Sequence, residues 1–205
     1  SGFFISSSLA SEPRTITDCE SCPKLAVIPA GEIDIRLAPG VLGRGHNVGW
    51  YRRVIFTQPF AIGIYEVTNA QWHACITDAG CEVLDYDTDI NNEHPVTQVS
   101  WQQATEYTKW LTKKTGYTYR LPSNSEWEYA ARGDLGMNRY FNLEPQDVCI
   151  FGNVYDQTAE AELGYGLDTL PCEDKKTMLA AVGSFKPNQF GVFDAIGNVF
   201  EWTED

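Results

Sequence analysis

Basic residues are scarce in this sequence: 15 lysines and arginines stand against 28 acidic residues, a formal net charge of −13. That sign excludes nucleic acid as the main partner, because phosphates attract the opposite charge. Histidine is rare too, with His46, His73 and His94 scattered, and Cys19-x-x-Cys22 has no second Cys-x-x-Cys to complete a zinc site. Long apolar runs are missing, so no segment of the sequence is long enough to span a bilayer. No Gly-x-Ser-x-Gly elbow and no evident Cys–His couple marks a nucleophile. Glu126 and Glu128 share one short helix, but Glu126 is explained by a capping box, which argues against a paired-carboxylate hydrolase. Gly40, Gly43, Gly45 and Gly49 mark a flexible loop; their spacing is wrong for a phosphate cradle and no helix follows. The opening Ser1-Gly2-Phe3-Phe4-Ile5-Ser6 is too short for a signal peptide and leaves targeting unread.

What is present reads as a loop-rich α+β domain. At 205 residues and 43% apolar content the chain suffices for one buried core. Residues 1–24 are polar and cysteine-bearing, an expected extended arm, and residues 25–205 form the expected domain. Leu25–Ile28 is a short apolar strand, Ile33 and Ile35 alternate with Asp34 and Arg36, and Val54–Phe56 and Phe60–Tyr65 read as strands around Pro59. Three helices have legible starts. Thr68 caps one to about Ala79, Ser100-x-x-Gln103 opens one that ends before Gly116, and Ser123-x-x-Glu126 opens the third. Ala104, Tyr107 and Leu111 share a face of the second; Trp127, Ala130 and Ala131 supply the buried side of the third. Trp101, Trp127 and Trp202 are expected as apolar anchors of the core.

Beyond Gly133 about fifty residues look irregular, and such a stretch needs an external source of order. Two sources suggest themselves. From Arg139 to Lys175 the chain carries eight acidic residues and no intervening Lys or Arg, which suits either a solvated loop or bound Ca²⁺. The six cysteines form three close couples, Cys19 and Cys22, Cys75 and Cys81, Cys149 and Cys172, and local pairing is favoured among the fifteen connectivities. Their even number without metal spacing points to an oxidising compartment, periplasmic or extracellular. Asp85-x-Asp87-x-Asp89-x-Asn91 starts like an EF-hand loop but has Ile90 and Val96 at the sixth and twelfth positions, so the loop fails.

The final segment, Ala195–Asp205, offers carboxamide, carboxylate and carbonyl oxygens around Asn198 and Glu201, a donor set suited to a hard cation. Its Gly-Asn-Val-Phe-Glu-Trp resembles a signature of the formylglycine-generating enzyme, or sulfatase-modifying factor, family. Other motifs follow in that family's order: Tyr65-Glu66-Val67-Thr68, His94-Pro95-Val96 with Val99-Ser100-Trp101, Arg120-Leu121-Pro122-Ser123 with Glu126–Arg132, Val182–Phe185, Pro187-Asn188 and Phe190–Asp194. The resemblance covers about Leu25 to Asp205 and implies a C-type-lectin-like fold with little regular structure, two main helices and small antiparallel sheets. It implies one calcium site at Asn153, the carbonyl of Val154, Asp174 and the carbonyl of Lys176. A second is implied at Asn198, the carbonyl of Val199 and Glu201.

Catalytic members of that family oxidise a substrate cysteine with O₂ through two Cu(I)-binding cysteines downstream of the Gly-Asn-x-x-Glu-Trp segment. None of the six cysteines here occupies that position, so none is carried over as catalytic. Lys175-Lys176 departs from the usual Gly-aromatic pair, Ile-Asp-Ile-Arg after Glu32 replaces a Met-Gly turn, and Gln98 replaces a small polar residue. The family also contains non-catalytic members, including variable ligand-binding proteins and secretion regulators. The expectation is therefore an extracytoplasmic, Ca²⁺-stabilised, non-catalytic domain that binds a protein or peptide. The alternative is a copper-dependent formylglycine-generating oxidase whose cysteine pair lies in a further C-terminal segment.

Overall fold

The computed structural model describes residues 12–36, 51–84, 91–133 and 143–205. The expected glycine loop, Gly40–Gly49, and most of the acidic Asp85–Asn91 stretch lie outside the described residues. Two small sheets form the first part of the fold. Strands β1 (Thr15–Ile16), β2 (Leu25–Ile28) and β5 (Phe60–Gly63) make one antiparallel sheet in the order β1-β2-β5. Strands β3 (Gly31–Arg36) and β4 (Tyr51–Phe56) pair as a second, with Ile33 opposite Val54. Thus β4 and β5, neighbours around Pro59, join different sheets. Ala26 and Ile28, two apart in β2, point to one face and are fully buried in the core there. The chain segment before residue 25 enters the fold through β1, which pairs Thr15 with Ala26 and Ile16 with Leu25.

Three helices start where local chemistry dictates. Helices α1 (Asn69–Thr77), α2 (Trp101–Thr115) and α3 (Asn124–Arg132) each open on a complete capping box, at Thr68/Gln71, Ser100/Gln103 and Ser123/Glu126. In α2 the Gln103 amide N–H donates to Ser100 Oγ at 3.2 Å, while the Ser100 N–H donates to Gln103 Oε1 at 2.9 Å. Gly116 then ends α2 in the left-handed region at φ 78°. Asn188 closes α3 from a distant loop, its amide donating to the carbonyls of Ala130 and Ala131 at 2.7 and 2.9 Å.

Two apolar clusters result. In one, Ala26, Ile28, Ile33 and Ile64 meet Tyr129 and Ala130 of α3. In the other, Trp72 and Cys75 of α1 pack on Tyr107, Trp110 and Leu111 of α2, with Trp72 and Tyr107 stacked at 5.6 Å. Three disulfides, Cys19–Cys22, Cys75–Cys81 and Cys149–Cys172, join the cysteines in their local couples.

Two expectations need correction. Trp101 and Trp202 are not core residues: they are 38% and 50% exposed. Each indole N–H instead bonds across to the other's strand of chain, Trp101 to the Thr203 carbonyl at 2.8 Å and Trp202 to the Val99 carbonyl at 2.7 Å. Trp127 is only half-buried, its place in the core taken by Tyr129 one residue pair further on. The stretch beyond Gly133 is also less irregular than its sequence suggests. It holds a 3₁₀ turn at Pro145–Ile150, a strand β6 (Gly152–Asn153) and a helix α4 (Gln157–Leu163). The N-cap of α4 is Asp156, whose carboxylate accepts the Ala159 N–H at 2.9 Å.

Candidate functional site

The site is built on a short parallel contact between β6 and β7 (Ile196–Gly197), with Gly152 opposite Ile196 and Asn153 opposite Gly197. Two glycines make this approach possible. A Cβ on Gly152 would fall 1.9 Å from the Ile196 carbonyl oxygen, and one on Gly197 would fall 1.8 Å from that of Asn153. The contact delivers Asn153 and Asn198 to one spot, where Asn198 N donates to the Asn153 carbonyl at 2.8 Å. Asn198 sits at φ 53°, in the left-handed region that Asn tolerates better than most side chains.

Asn198 is a four-way tie. Its carboxamide oxygen accepts from Ala180 N at 3.0 Å and Asn153 Nδ2 at 3.1 Å, and its Nδ2 donates to Glu66 at 3.1 Å and the Ala180 carbonyl at 3.3 Å. Residues from three distant parts of the chain are thereby fixed together. The first expected cation set lies on one side of this tie. Asp174 accepts from Val154 N at 2.8 Å and Lys176 N at 2.7 Å, which brings Val154, Asp174 and Lys176 into one turn beside Asn153. Asp156 stands close behind: it is fully buried and accepts the Asp174 N–H. Burial pushes the Asp174 carboxyl above its ordinary range; the two backbone N–H bonds oppose that, and the Asp156 charge adds to it. No Lys or Arg of the described residues forms an ion pair with either carboxylate.

Asp156 and Asp174 bring two carboxylates together here, and Asp174 is met by the N–H groups of Val154 and Lys176 rather than by their carbonyls. The nearby Cys149 sulfur belongs to a disulfide and offers no thiolate. The second set is arranged differently. The Asn198 oxygen already accepts two hydrogen bonds, so a cation there must displace one of them. Glu201 is exposed and lies along a neighbouring groove.

On the other side of the tie lies a cluster of carboxyl groups that the spacing of the sequence does not reveal. Glu66 and Asp194 are 7% and 2% exposed. Glu66 Oε2 and Asp194 Oδ1 find no donor while both groups are ionised. Burial first, then the charges of Asp194 and Glu201, push Glu66 up to about 8. A proton held on Glu66 can be donated to Asp194, which relieves both oxygens. Asp194 is raised by burial and eased by the N–H of Gly183, 2.6 Å away. Glu201, by contrast, is exposed. Glu66 was legible in sequence only as part of Tyr65-Glu66-Val67-Thr68, and nothing there marks it as buried.

Glu66 and Glu201 also line a groove of about 730 Å³ that runs from β1 and β5 across α2 to the C-terminal segment. Phe200 at this segment is fully exposed, and Trp202 is half-exposed beside it. The segment itself is anchored: Glu204 N donates to the Pro122 carbonyl at 2.8 Å, and the Asp205 carboxylate accepts from Asn124 N at 2.7 Å. The anchored segment lines one side of this groove.

Comparison with known proteins agrees with this architecture. A family model described as the sulfatase-modifying factor enzyme 1-like domain matches residues 11–205. A formylglycine-generating enzyme of Streptomyces coelicolor is 38% identical over 118 residues, covering 55% of this chain and 32% of that protein. An inactive Cα-formylglycine-generating enzyme 2 of Bos taurus is 33% identical over 115 residues, covering 54% of this chain and 33% of that protein. The chain thus spans about a third of the length of these two relatives. Among solved structures, PvdO from Pseudomonas aeruginosa superposes with a TM-score of 0.71 at 31% identity, covering 96% of this chain and 76% of that one.

Proposed function

The chain belongs to the sulfatase-modifying factor enzyme 1-like domain family, and from that premise we propose that residues 1–205 act as a non-catalytic polypeptide-binding domain outside the cytoplasm. The observation that carries this reading is the state of the cysteines. All six are joined in disulfides, and each disulfide has one buried member, Cys22, Cys75 or Cys149. Soft Cu(I) needs accessible thiolates, and these residues present none. The disulfides themselves suit a periplasmic or extracellular setting. That a relative is named as inactive supports a binding role within the same family.

In this reading the first set, Asn153, Val154, Asp174 and Lys176, holds a structural Ca²⁺. When bound, the ion supplies positive charge to the Asp156–Asp174 pair and fixes the turn that follows α4. Asn153 and Asp174 supply the side-chain oxygens; Val154 and Lys176 supply carbonyls. The second set, Asn198, Val199 and Glu201, takes an ion only if Asn198 releases Ala180 or Asn153. A copper-binding competition tests the non-catalytic reading. The full-length protein, with disulfides intact, is expected to leave Cu(I) on a chromogenic chelator. Removal of one equivalent of Cu(I) from the chelator would overturn the reading in favour of an oxidase centre.

A further inference from the structure

Cys19-Glu20-Ser21-Cys22 is the one Cys-x-x-Cys of the sequence, and the binding role proposed above makes no use of it. Its disulfide closes the smallest loop of the three, with a sequence separation of 3 against 6 and 23. The stabilisation a disulfide gives by restricting the unfolded chain grows with the loop it closes, so this one contributes least. It also lies where closure is already provided. The segment joins β1 to β2, and those strands pair across it, Ile16 with Leu25. Within it the Cys22 N–H donates to the Cys19 carbonyl at 3.1 Å, and the Tyr119 hydroxyl donates to the neighbouring Asp18. These contacts hold the connection without the sulfur–sulfur bond.

The two sulfurs are not equivalent. Cys22 is 5% exposed and packs with Trp72, Tyr107 and Leu111, whereas Cys19 is half-buried beside that cluster. Ser21 Oγ lies 3.6 Å from the Cys19 sulfur, and a disulfide sulfur has no hydrogen to give, so the Ser21 hydroxyl is the donor. A donor on that sulfur favours it as a thiolate. Cys149 is set differently: its sulfur and oxygens of Asp156 and Asp174 all lie within 4.8 Å of one another, and two carboxylates repel an incoming thiolate.

We propose that Cys19–Cys22 is a thiol–disulfide exchange site for the dithiol of a partner polypeptide. One thiolate of the partner attacks the Cys19 sulfur, the Cys19–Cys22 bond breaks, and Cys22 leaves as a thiolate. Burial of Cys22 directs the first attack to Cys19. The partner's second thiolate then attacks the partner sulfur of the mixed disulfide, and Cys19 leaves as the thiolate that Ser21 favours. The partner gives up two electrons and gains a disulfide. Both protons of its thiols pass to Cys19 and Cys22, which end as a dithiol. An oxidising compartment supplies the oxidised starting form. The exchange needs only thiols and holds whether or not the domain binds a polypeptide elsewhere on its surface.

The test is a graded reduction of the full-length protein with dithiothreitol, without denaturant, followed by iodoacetamide alkylation and tryptic mass mapping. Cleavage after Arg14 and Lys24 leaves Cys19 and Cys22 on one short peptide, apart from the other four cysteines. That peptide is expected to gain two alkyl groups at roughly tenfold less dithiothreitol than the peptides of Cys75–Cys81 and Cys149–Cys172. The near-UV circular dichroism spectrum should stay that of the oxidised protein at this point. In Cys22→Ser, oxidised glutathione should form a mixed disulfide at Cys19, while in Cys19→Ser the buried Cys22 should stay a free thiol. Reduction of all three disulfides together, or of Cys19–Cys22 last, overturns the proposal. So does a Cys19 that takes up no glutathione in a Cys22→Ser variant whose near-UV spectrum matches the parent. If Cys22→Ser does not fold, the graded reduction of the parent decides alone.

Discussion

Single side chains set the tolerances of this site. Asn198 makes four side-chain hydrogen bonds from a left-handed backbone position, and no other residue type can make the same four. Asn198→Ala leaves buried groups on Ala180, Asn153 and Glu66 without partners, and should lower unfolding stability by about 2–3 kcal/mol in urea titration. At the start of α3, the Arg120 guanidinium holds Glu126 below its ordinary carboxyl value of 4.5, opposed by burial and helped by the Ser123 N–H. A carboxyl lowered by folding contributes stability that is fully present above its unfolded value and is lost as pH falls through the folded one. The difference in urea midpoint between the parent and Glu126→Gln should therefore hold steady above about pH 5 and shrink toward zero at more acid pH. A difference that is unchanged at acid pH would show that Arg120 contributes nothing through this pair.

At the scale of elements, the β6–β7 contact depends on two glycines rather than on hydrogen-bond number. Gly197→Ala puts a methyl against the Asn153 carbonyl at φ 78°, at a cost on the order of 1–3 kcal/mol. It should lower the thermal midpoint and raise amide exchange at Asn153 and Asn198 together, since one contact holds both. The helices α1, α2 and α3 were legible because each carries its start signal in four consecutive residues, Thr68–Gln71, Ser100–Gln103 and Ser123–Glu126. Helix α4 was not. Ala159 stands where a capping box would place Glu or Gln, so Asp156 gives half the signal, and the rest of its order comes from the Cys149–Cys172 disulfide and Asp174. Trp101 and Trp202 misled because size suggests burial, whereas their indole N–H groups are used to clamp one surface segment to another. The Asn153, Asp174 and Asn198 neighbourhood could be read through family motifs. The Glu66–Asp194 contact spans elements far apart in sequence, and composition carries no trace of it.

For the whole molecule, two apolar clusters and three disulfides hold the described fold, and an oxygen-rich turn is left to organise the stretch after α4. An ion that binds only the folded chain raises its stability by mass action. Millimolar Ca²⁺ should therefore raise the thermal midpoint relative to EGTA in the parent, and Asp174→Asn should abolish most of the gain. The same midpoint in both buffers would remove Ca²⁺ from the account. The relatives divide between proteins named as formylglycine-generating enzymes and proteins named as inactive ones, so the central claim concerns chemistry rather than fold. Its most direct test is a mass-spectrometric assay of the full-length protein incubated with a Cys-x-Pro-x-Arg peptide, copper and O₂. The peptide cysteine is predicted to remain a thiol, with no aldehyde trapped by a hydrazide probe. Trapped aldehyde that accumulates with protein concentration would contradict the account and identify the domain as an oxidase.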